Sequence, residues 1–293
     1  FPEEYGGTPA DLFFRIVSAE EFAQAGAGGL SASLFSHTIG APPIAAVGSV
    51  ELKLRVLPAI LAGEKISALA ITEPGGGSDV ANLTTRARRE SGDYVVDGEK
   101  TFITSGMRAD YFTVAVRTGG PGAAGVSLLL IERDRPGFTR YPLKKMGWWC
   151  SDTATLRFDD VHVPASNLIG EENSGFRAIM LNFNYERLGM TAGAVGFAQA
   201  CLDDALGWAG QRRTFGKLLI EHQAISHKLV EMQTRIHAAR AMLYDTAWKL
   251  MQAPRDPRWI AQLCMAKNFA ARAMQFCAAE AVQTLGGAGF IRG

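Results

Sequence analysis

The 293-residue sequence predicts an α+β protein with three parts: an N-terminal helical domain, a middle antiparallel β-barrel or sandwich, and a C-terminal antiparallel bundle of the four-helix type. Helical signals cover the first 65 residues, and short alternating segments separated by turns follow to about residue 171. Long segments with helical signals fill the remainder. The predicted domains are therefore 1–65, 66–171 and 172–293.

The N-terminal part carries helix start and stop signals. Residues 8–29 predict a helix that begins at an N-cap, Thr8, and has one apolar face. After a glycine-rich gap, a second apolar segment is interrupted at Ala41-Pro42-Pro43. A further helix is expected over about 49–61 and should end at Gly63.

The middle part predicts short strands. An apolar run over 66–71 indicates a buried strand, and 93–104 predicts a β-hairpin with Asp97-Gly98 as its turn. Further strands are expected at 84–88, 111–117, 126–132, 139–141 and 153–163. Regular spacing of short strands favours a small antiparallel barrel or sandwich.

The C-terminal part predicts three long helices, over about 174–211, 221–252 and 258–285. The last two are separated by Pro254-Arg255-Asp256-Pro257, which cannot continue a helix. Long helices joined by short turns indicate an antiparallel bundle.

Composition excludes several classes of protein. Hydrophobic residues make up 47% and charged residues 20%, with a net charge of +1, so neither a nucleic-acid footprint nor a membrane span is expected. The four cysteines form no Cys-x-x-Cys pair and the histidines lack ligand spacing, so no metal site is expected. With no secretory signal, we expect a soluble intracellular protein, cytoplasmic in a bacterium or in the mitochondrial matrix of a eukaryote. The chain begins at Phe1 and ends within an apparent motif, so residues are expected to be missing at both ends.

The predicted strand over 66–71 runs into a polar turn, Thr72-Glu73-Pro74-Gly75-Gly76-Gly77-Ser78-Asp79. Three glycines allow close backbone approach, and free N–H groups suit an anionic or heteroaromatic ligand. The turn is not a Walker loop, because no Lys follows Gly77, and Val80 breaks the dinucleotide fingerprint. A connecting turn without a ligand is the alternative.

Five motifs resemble those of the acyl-CoA dehydrogenase family, in the family's order and over essentially the whole chain. They are Ile71-Thr72-Glu73-Pro74-Gly75-Gly76-Gly77-Ser78-Asp79, Gly98-Glu99-Lys100-Thr101-Phe102-Ile103-Thr104, Phe158-Asp159-Asp160-Val161-His162-Val163-Pro164, Arg212-Arg213-Thr214-Phe215-Gly216-Lys217 and Gln283-Thr284-Leu285-Gly286-Gly287-Ala288-Gly289-Phe290. The resemblance implies a tetrameric flavoprotein that binds FAD and oxidises an acyl-CoA thioester between Cα and Cβ. Electron-transferring flavoprotein is the implied electron acceptor.

The resemblance also implies which residues contact FAD. In the middle domain it places Ile71 and Thr72 at the flavin pyrimidine edge, Phe102 against the flavin and Thr104 at flavin N5. Ser78, beside Gly77, should lie at the phosphates of FAD and CoA. The residues implied at the FAD of a neighbouring subunit are Arg212, Thr214, Phe215, Gln223, Gln283, Gly286 and Gly287.

Four of these assignments, one of them for a pair of glycines, also have purely structural alternatives. Arg212 could be an ordinary cation near a helix C-terminus. Phe215 could belong to the bundle core, and Phe102 to the core of the β-domain. Gly286-Gly287 could simply end a helix.

The implied reaction needs a general base beside the substrate's α-carbon. Most of the family carries this Glu in a later motif than the chain reaches, but the isovaleryl-CoA and long-chain branch carries it in a Glu-Arg pair on the first bundle helix. Glu186-Arg187 match that pair. An apolar helix face should raise the pKa of Glu186 towards neutrality, and Gly189 should leave room beside the carboxylate. A base in a later segment is the alternative.

Substrate contacts are implied for Ser78, Asn184 and Arg187, although an inter-helix salt bridge is an equal alternative for Arg187. The expected reaction is dehydrogenation of an acyl-CoA to a trans-2-enoyl-CoA, with the base taking the α-proton and flavin N5 the β-hydride. The alternatives are an acyl-CoA-oxidase-like or nitroalkane-oxidase-like enzyme that reduces oxygen, a non-catalytic flavin-binding relative, and a purely structural helical protein.

Overall fold

The computed structural model describes residues 1–291, and the chain forms two compact units. The β-unit comprises residues 1–9 and 27–183, and the bundle unit comprises 10–26 and the chain from 184 onwards. The three-domain division at 65 and 171 stays a prediction, and its last boundary, 172–293, reaches two residues that lie outside the described ones.

The first part of the chain is helical, as predicted. Its helices are α1 (Leu12–Gln24), α2 (Leu30–Leu34), α3 (His37–Gly40), α4 (Pro42–Val47) and α5 (Val50–Leu61). Thr8 is not the first cap: Asp11 caps α1 by accepting hydrogen bonds from the N–H groups of Phe13 and Phe14. Ser49 caps α5 in the same way through Leu52 N–H.

The β-unit contains one seven-stranded sheet. Its strands are β1 (Ser67–Ala70), β2 (Arg86–Glu90), β3 (Asp93–Thr104), β4 (Tyr111–Arg117), β5 (Val126–Glu132), β6 (Phe138–Pro142) and β7 (Thr153–Val163). The expectation of purely antiparallel pairing is wrong, because β1 runs parallel to β4 over its full length and β2 pairs with β4 in parallel at one position. The remaining pairs are antiparallel.

The predicted hairpin turn at Asp97-Gly98 is also wrong. The turn lies at Ser91-Gly92, where both residues have positive φ (51° and 94°), as a two-residue hairpin turn requires. Residues on both sides of Asp97-Gly98 pair with β7, so β3 continues through the site and only its register shifts. Gly98, with φ of 144°, therefore forms a bulge within the strand.

Both faces of the sheet are covered with apolar side chains. On β5, Leu129 and Ile131 face a core built by the strands, whereas Leu128 and Leu130 face a second core shared with α4 and α5. Burial on both faces explains why β4 and β5 are continuous apolar runs without alternation.

The bundle helices lie close to their predicted positions. They are α6 (Gly175–Ala209), whose residues up to 183 belong to the β-unit, α7 (Gln223–Gln252) and α8 (Pro257–Leu285), with a small ribbon of β8 (Arg213–Thr214) and β9 (Lys217–Leu218). Near the start of α7, Lys228 pairs with Glu280 near the end of α8, so these helices are antiparallel. Within residues 1–291, no helix combines the length and apolar character needed to cross a membrane.

Candidate active site

A buried ion pair lies beneath the glycine-rich turn. Lys100 Nζ donates to Glu73 Oε1 at 2.7 Å and to the Ile71 carbonyl at 3.0 Å. Glu73 also accepts hydrogen bonds from Thr84 N–H and hydroxyl and from Thr85 N–H. The carboxylate is therefore fully engaged in holding the turn against β2 and β3.

The charges of this pair follow from burial and pairing. Burial alone would raise the pKa of Glu73, but the Lys100 charge and the hydrogen bonds from Lys100, Thr85 and Thr84 outweigh it and hold that pKa at about 2. Burial lowers the pKa of Lys100 to about 8 against the attraction of Glu73. Glu73 thus stays an anion at neutral pH and is a structural residue rather than a proton acceptor.

The turn itself presents backbone to solvent. Glu73 and Gly76 exchange N–H···O hydrogen bonds of 3.1 Å, and Gly77 and Ser78 are exposed beyond them. Neither the Gly77 nor the Ser78 N–H donates to a protein acceptor among residues 1–291. A Cβ on Gly77 would approach Thr72 Cγ2 at 3.2 Å. Two free donors beside small residues form a cradle that fits an anionic group.

Phe102 stands out from β3 next to this turn. The strand register shifts between Lys100 and Ile103, and Phe102 takes a positive φ of 59°. Its side chain is 68% exposed, so the alternative of a core aromatic is wrong. Thr101 N–H donates to the Thr72 carbonyl at 2.8 Å, which ties this segment to the turn.

The structure thus brings one part of the predicted site together. Ile71 is buried and Thr72 is half-buried at the end of β1, and Thr104 is half-buried at the end of β3, on the strand that carries Phe102. An exposed ring, a hydroxyl and unpaired N–H groups within one region fit the flavin that the resemblance implies. The donor set suits its ring and its phosphates.

A second group of predicted residues lies in the bundle unit, around the ribbon between α6 and α7. Thr214 Oγ1 lies 3.1 Å from His222 Nε2, and Gln223 follows as the first residue of α7. Phe215 has a φ of 53° and is 97% exposed, so it does not belong to the bundle core. Arg212 is exposed just after α6, where a cation is also favourable against the helix dipole.

The other predicted residues of the bundle unit lie at the end of α8. Gln283 is exposed on the last turn of the helix, and Gly286 caps it with a φ of 62°. Gly286 therefore ends the helix, as the structural alternative for the Gly286-Gly287 pair expects. Both glycines are exposed.

Glu186 lies on α6 in the bundle unit and is half-buried. Burial raises the pKa of Glu186 to about 7, against the opposing charges of Arg15 and Arg187. A carboxyl group with a pKa near neutrality can both accept and release a proton at that pH, which a general base requires. The direction of this shift matches the expectation from the sequence.

The space expected beside Glu186 is not empty of protein. A Cβ on Gly189 would lie 3.3 Å from Arg15 Nε and 3.4 Å from Arg15 Nη2, so a guanidinium from α1 covers this glycine. The expectation of an apolar gap at Gly189 is therefore wrong. Sequence reasoning missed Arg15, although its place next to buried Ile16 and one turn before half-buried Ala19 puts it at the edge of the buried stripe of α1.

For Arg187, an inter-helix salt bridge was the alternative to a substrate contact. Among residues 1–291, Arg187 forms no such salt bridge. Its Nη1 donates to Asn184 Oδ1 at 2.8 Å, one turn earlier on the same helix. Two of the three residues predicted to contact substrate are thus partners of each other. Across the same described residues, no group of three His, Cys, Asp or Glu side chains could hold a metal ion.

Family models match nearly the whole chain. The N-terminal domain of acyl-CoA dehydrogenases matches residues 1–64, the middle domain 68–161 and the C-terminal domain 173–293. These matches follow the order of helices, sheet and bundle described above.

Individual relatives agree with these matches. An acyl-CoA dehydrogenase of Bacillus subtilis is 38% identical over 99% of this chain and 76% of its own length. A mitochondrial isovaleryl-CoA dehydrogenase of Oryza sativa is 36% identical over 99% of this chain and 71% of its own. The solved acyl-CoA dehydrogenase of Geobacillus kaustophilus superposes with a TM-score of 0.94 at 38% identity, covering 100% of this chain and 77% of its own. The chain thus belongs to the acyl-CoA dehydrogenase family, whose members are FAD-dependent oxidoreductases that dehydrogenate acyl-CoA thioesters.

Proposed function

We propose that this chain dehydrogenates an acyl-CoA thioester to a trans-2-enoyl-CoA, with Glu186 as the base that removes the α-proton. The observation that carries this proposal is the half-buried Glu186 carboxyl, whose pKa burial raises to about 7. Glu73, the acid of the glycine-rich turn, is not a candidate for the base. It forms an ion pair with Lys100 and stays ionised, because its pKa is about 2.

The residues of the β-unit have binding roles in this proposal. The free N–H groups of Gly77 and Ser78 hold phosphate oxygens, Ile71 and Thr72 meet the pyrimidine edge, and Phe102 packs on the flavin ring. Thr104 donates its hydroxyl to flavin N5. FAD bound here supplies the acceptor for the hydride that leaves the substrate's β-carbon.

In this proposal, some residues of the bundle unit contact the substrate and others contact the FAD of a second subunit. Asn184 and Arg187 contact the substrate, while Ser78 of the β-unit serves both CoA and FAD. Phe215 and its neighbours, with Gln223 and the end of α8, meet the FAD of another subunit in a homotetramer. The 97% exposure of the Phe215 ring supports an intermolecular role, because leaving a large apolar ring in water is unfavourable.

The experiment that tests the base uses Glu186→Gln in the intact, FAD-loaded protein. The variant should keep its flavin absorbance and bind acyl-CoA, yet lose at least about 100-fold in the rate of flavin bleaching, the range that general-base catalysis contributes. Glu231→Gln is the matched control, because Glu231 forms an exposed pair with Arg235 on α7. Near-normal bleaching by Glu186→Gln would assign the base elsewhere.

Three further measurements test the rest of the proposal. Electron-transferring flavoprotein should reoxidise the enzyme, whereas rapid peroxide formation without an added acceptor would indicate an oxidase instead. The Glu-Arg pair on α6 favours a substrate of the branched or long-chain class, which a panel of acyl-CoAs would test. Light scattering should give the mass of a tetramer, and a lasting monomer would contradict the shared FAD site.

A further inference from the structure

Arg15 brings a cation from α1 to the helix that carries Glu186. Its guanidinium lies against Gly189, three residues after Glu186, where an added Cβ would lie 3.3 Å from Arg15 Nε and would require the guanidinium to shift by a few tenths of an ångström. The absence of a side chain at Gly189 thus leaves room for this charged group. The guanidinium is largely removed from water, and this burial lowers the pKa of Arg15 despite the opposing charge of Glu186.

Contacts further along α1 hold Arg15 in this position. Seven residues after Gly189, a Cβ on Gly196 would come 2.4 Å from the Glu20 carbonyl, so α1 and α6 approach closely a second time. Glu20 is buried and pairs with Arg240 Nε of α7 at 3.0 Å. Two close approaches and one buried ion pair fix α1 on the bundle, and with it the place of Arg15.

Two cations of the bundle unit act on Glu186, Arg15 and Arg187. Arg187 belongs to the same helix and is engaged by Asn184, whereas Arg15 is contributed by another element, α1. The positive charge of Arg15 favours the ionised form of the Glu186 carboxyl. A half-buried guanidinium gains most when the carboxyl near it is ionised.

We propose that Arg15 is a positioning residue for the base: seated on Gly189, it balances the charge of the Glu186 carboxylate and so sets the pH range in which Glu186 accepts the α-proton. This inference rests on the proposed function of Glu186. Arg15 lies in the N-terminal segment and does not touch the reacting atoms. It acts on Glu186, the group that does, by changing the pH at which Glu186 is ionised.

The test measures proton removal separately from hydride transfer. An acyl-CoA analogue with sulfur in place of the β-carbon keeps an acidic α-proton but cannot give up a β-hydride. Exchange of its α-proton with D₂O, followed by NMR from pH 5 to 9 on the intact FAD-loaded protein, therefore reports the base alone. Flavin absorbance and thermal melting show that each variant is folded and loaded.

Arg15→Met should move the midpoint of the exchange profile upwards by about one pH unit, because an opposite charge near the carboxyl is lost. At pH 7 this shift corresponds to roughly a fivefold slower exchange, while the plateau at high pH is retained. Arg15→Lys keeps the charge and should retain the wild-type midpoint. Gly189→Ala, which requires the guanidinium to move by only a few tenths of an ångström, should give a smaller shift in the same direction as Arg15→Met.

Arg258→Met is the control for the loss of one positive charge, because Arg258 is an exposed cation at the start of α8, and its profile should match the wild type. A wild-type midpoint in Arg15→Met, with exchange abolished in Glu186→Gln, would overturn the role of Arg15 and leave the base intact. Normal exchange in Glu186→Gln would overturn both. If Arg15→Met fails to fold, Arg15→Gln, which also removes the charge but keeps a polar side chain, decides the question against Arg15→Lys.

Discussion

Lys100 Nζ lies 2.7 Å from Glu73 Oε1, and the two side chains are 0% and 6% exposed. The pair joins the middle of β3 to the turn after β1. Because Lys100 also binds the Ile71 carbonyl, one buried ammonium fixes both ends of the segment that we propose to meet the flavin. The shape of the cofactor site therefore depends on an ion pair that has no part in the chemistry.

Removing Lys100 should destabilise the protein strongly. Lys100→Met leaves the Glu73 carboxylate buried without its partner, and the expected loss in the free energy of unfolding is about 3–5 kcal/mol. Urea unfolding at pH 7 would measure it. FAD affinity should fall as well, because the turn loses its anchor.

Two variants test whether the uncompensated charge causes that loss. Lys65→Met removes an exposed partner of Asp110 and should cost less than about 1 kcal/mol. The double variant Glu73→Gln/Lys100→Met should be more stable than Lys100→Met alone. An equally unstable double variant would mean that packing around the Lys100 stem, rather than charge, holds the turn.

Stability should fall in acid because of Glu73. Its pKa is about 2 in the folded protein and 4.5 for an ordinary Glu, so its contribution is fully present above pH 4.5 and is lost as the pH falls towards 2. The full shift corresponds to at most about 3 kcal/mol. Unfolding measured between pH 7 and pH 3 should show a flatter acid dependence for Glu73→Gln than for Glu64→Gln, an exposed control.

Glu186 should have the opposite pH dependence. Its folded-state pKa of about 7 exceeds 4.5, so the folded protein binds more protons and loses stability as the pH rises from 4.5 to 7. Glu186→Gln should therefore be more stable than the wild type at pH 8, by about 2 kcal/mol after allowance for partial exposure, and nearly equal to it at pH 4.5. Denaturant titrations at the two pH values would show this, and equal stabilities at pH 8 would contradict the raised pKa.

The bulge at Gly98 should tolerate no side chain. A Cβ there would lie 2.7 Å from Thr85 Cα, a backbone atom that cannot yield easily, and φ is 144°. Gly98→Ala should cost about 1–3 kcal/mol more than Gly92→Ala, a turn position that also has positive φ but has no atom within 4 Å of a new Cβ. Thermal melting of the two variants side by side would measure the difference, and equal melting temperatures would show that the strand relaxes.

Phe102 should matter for the cofactor and little for folding. Phe102→Ala removes an exposed ring, so the free energy of unfolding of the apoprotein should change by less than about 1 kcal/mol. FAD affinity should fall about tenfold through the lost aromatic contact. Fluorescence titration with FAD measures this, and Tyr141→Ala, an exposed aromatic on β6, should bind FAD normally. An unchanged affinity in Phe102→Ala would remove Phe102 from the site.

Much of the fold could be predicted from local signals. The bounds of β4, β5 and β7 agree with the predicted ones, and the bundle helices agree within about two residues at each end. Caps, prolines and apolar periodicity act over one or two turns, so they are visible in the sequence. The same reasoning placed the hairpin turn at Asp97-Gly98, because it could not weigh the pairing of both flanks with β7.

By itself the sequence determined the positions of the long bundle helices and of most strands, the glycine-rich turn, the order of the family motifs and a carboxyl on an otherwise apolar helix face. Only the tertiary structure decided the parallel pairing of β1 with β4, the partnership of Lys100 with Glu73 and the seating of Arg15 on Gly189. The physical reason is that these contacts join elements far apart in the chain. Their strength depends on burial and distance, which no local pattern records.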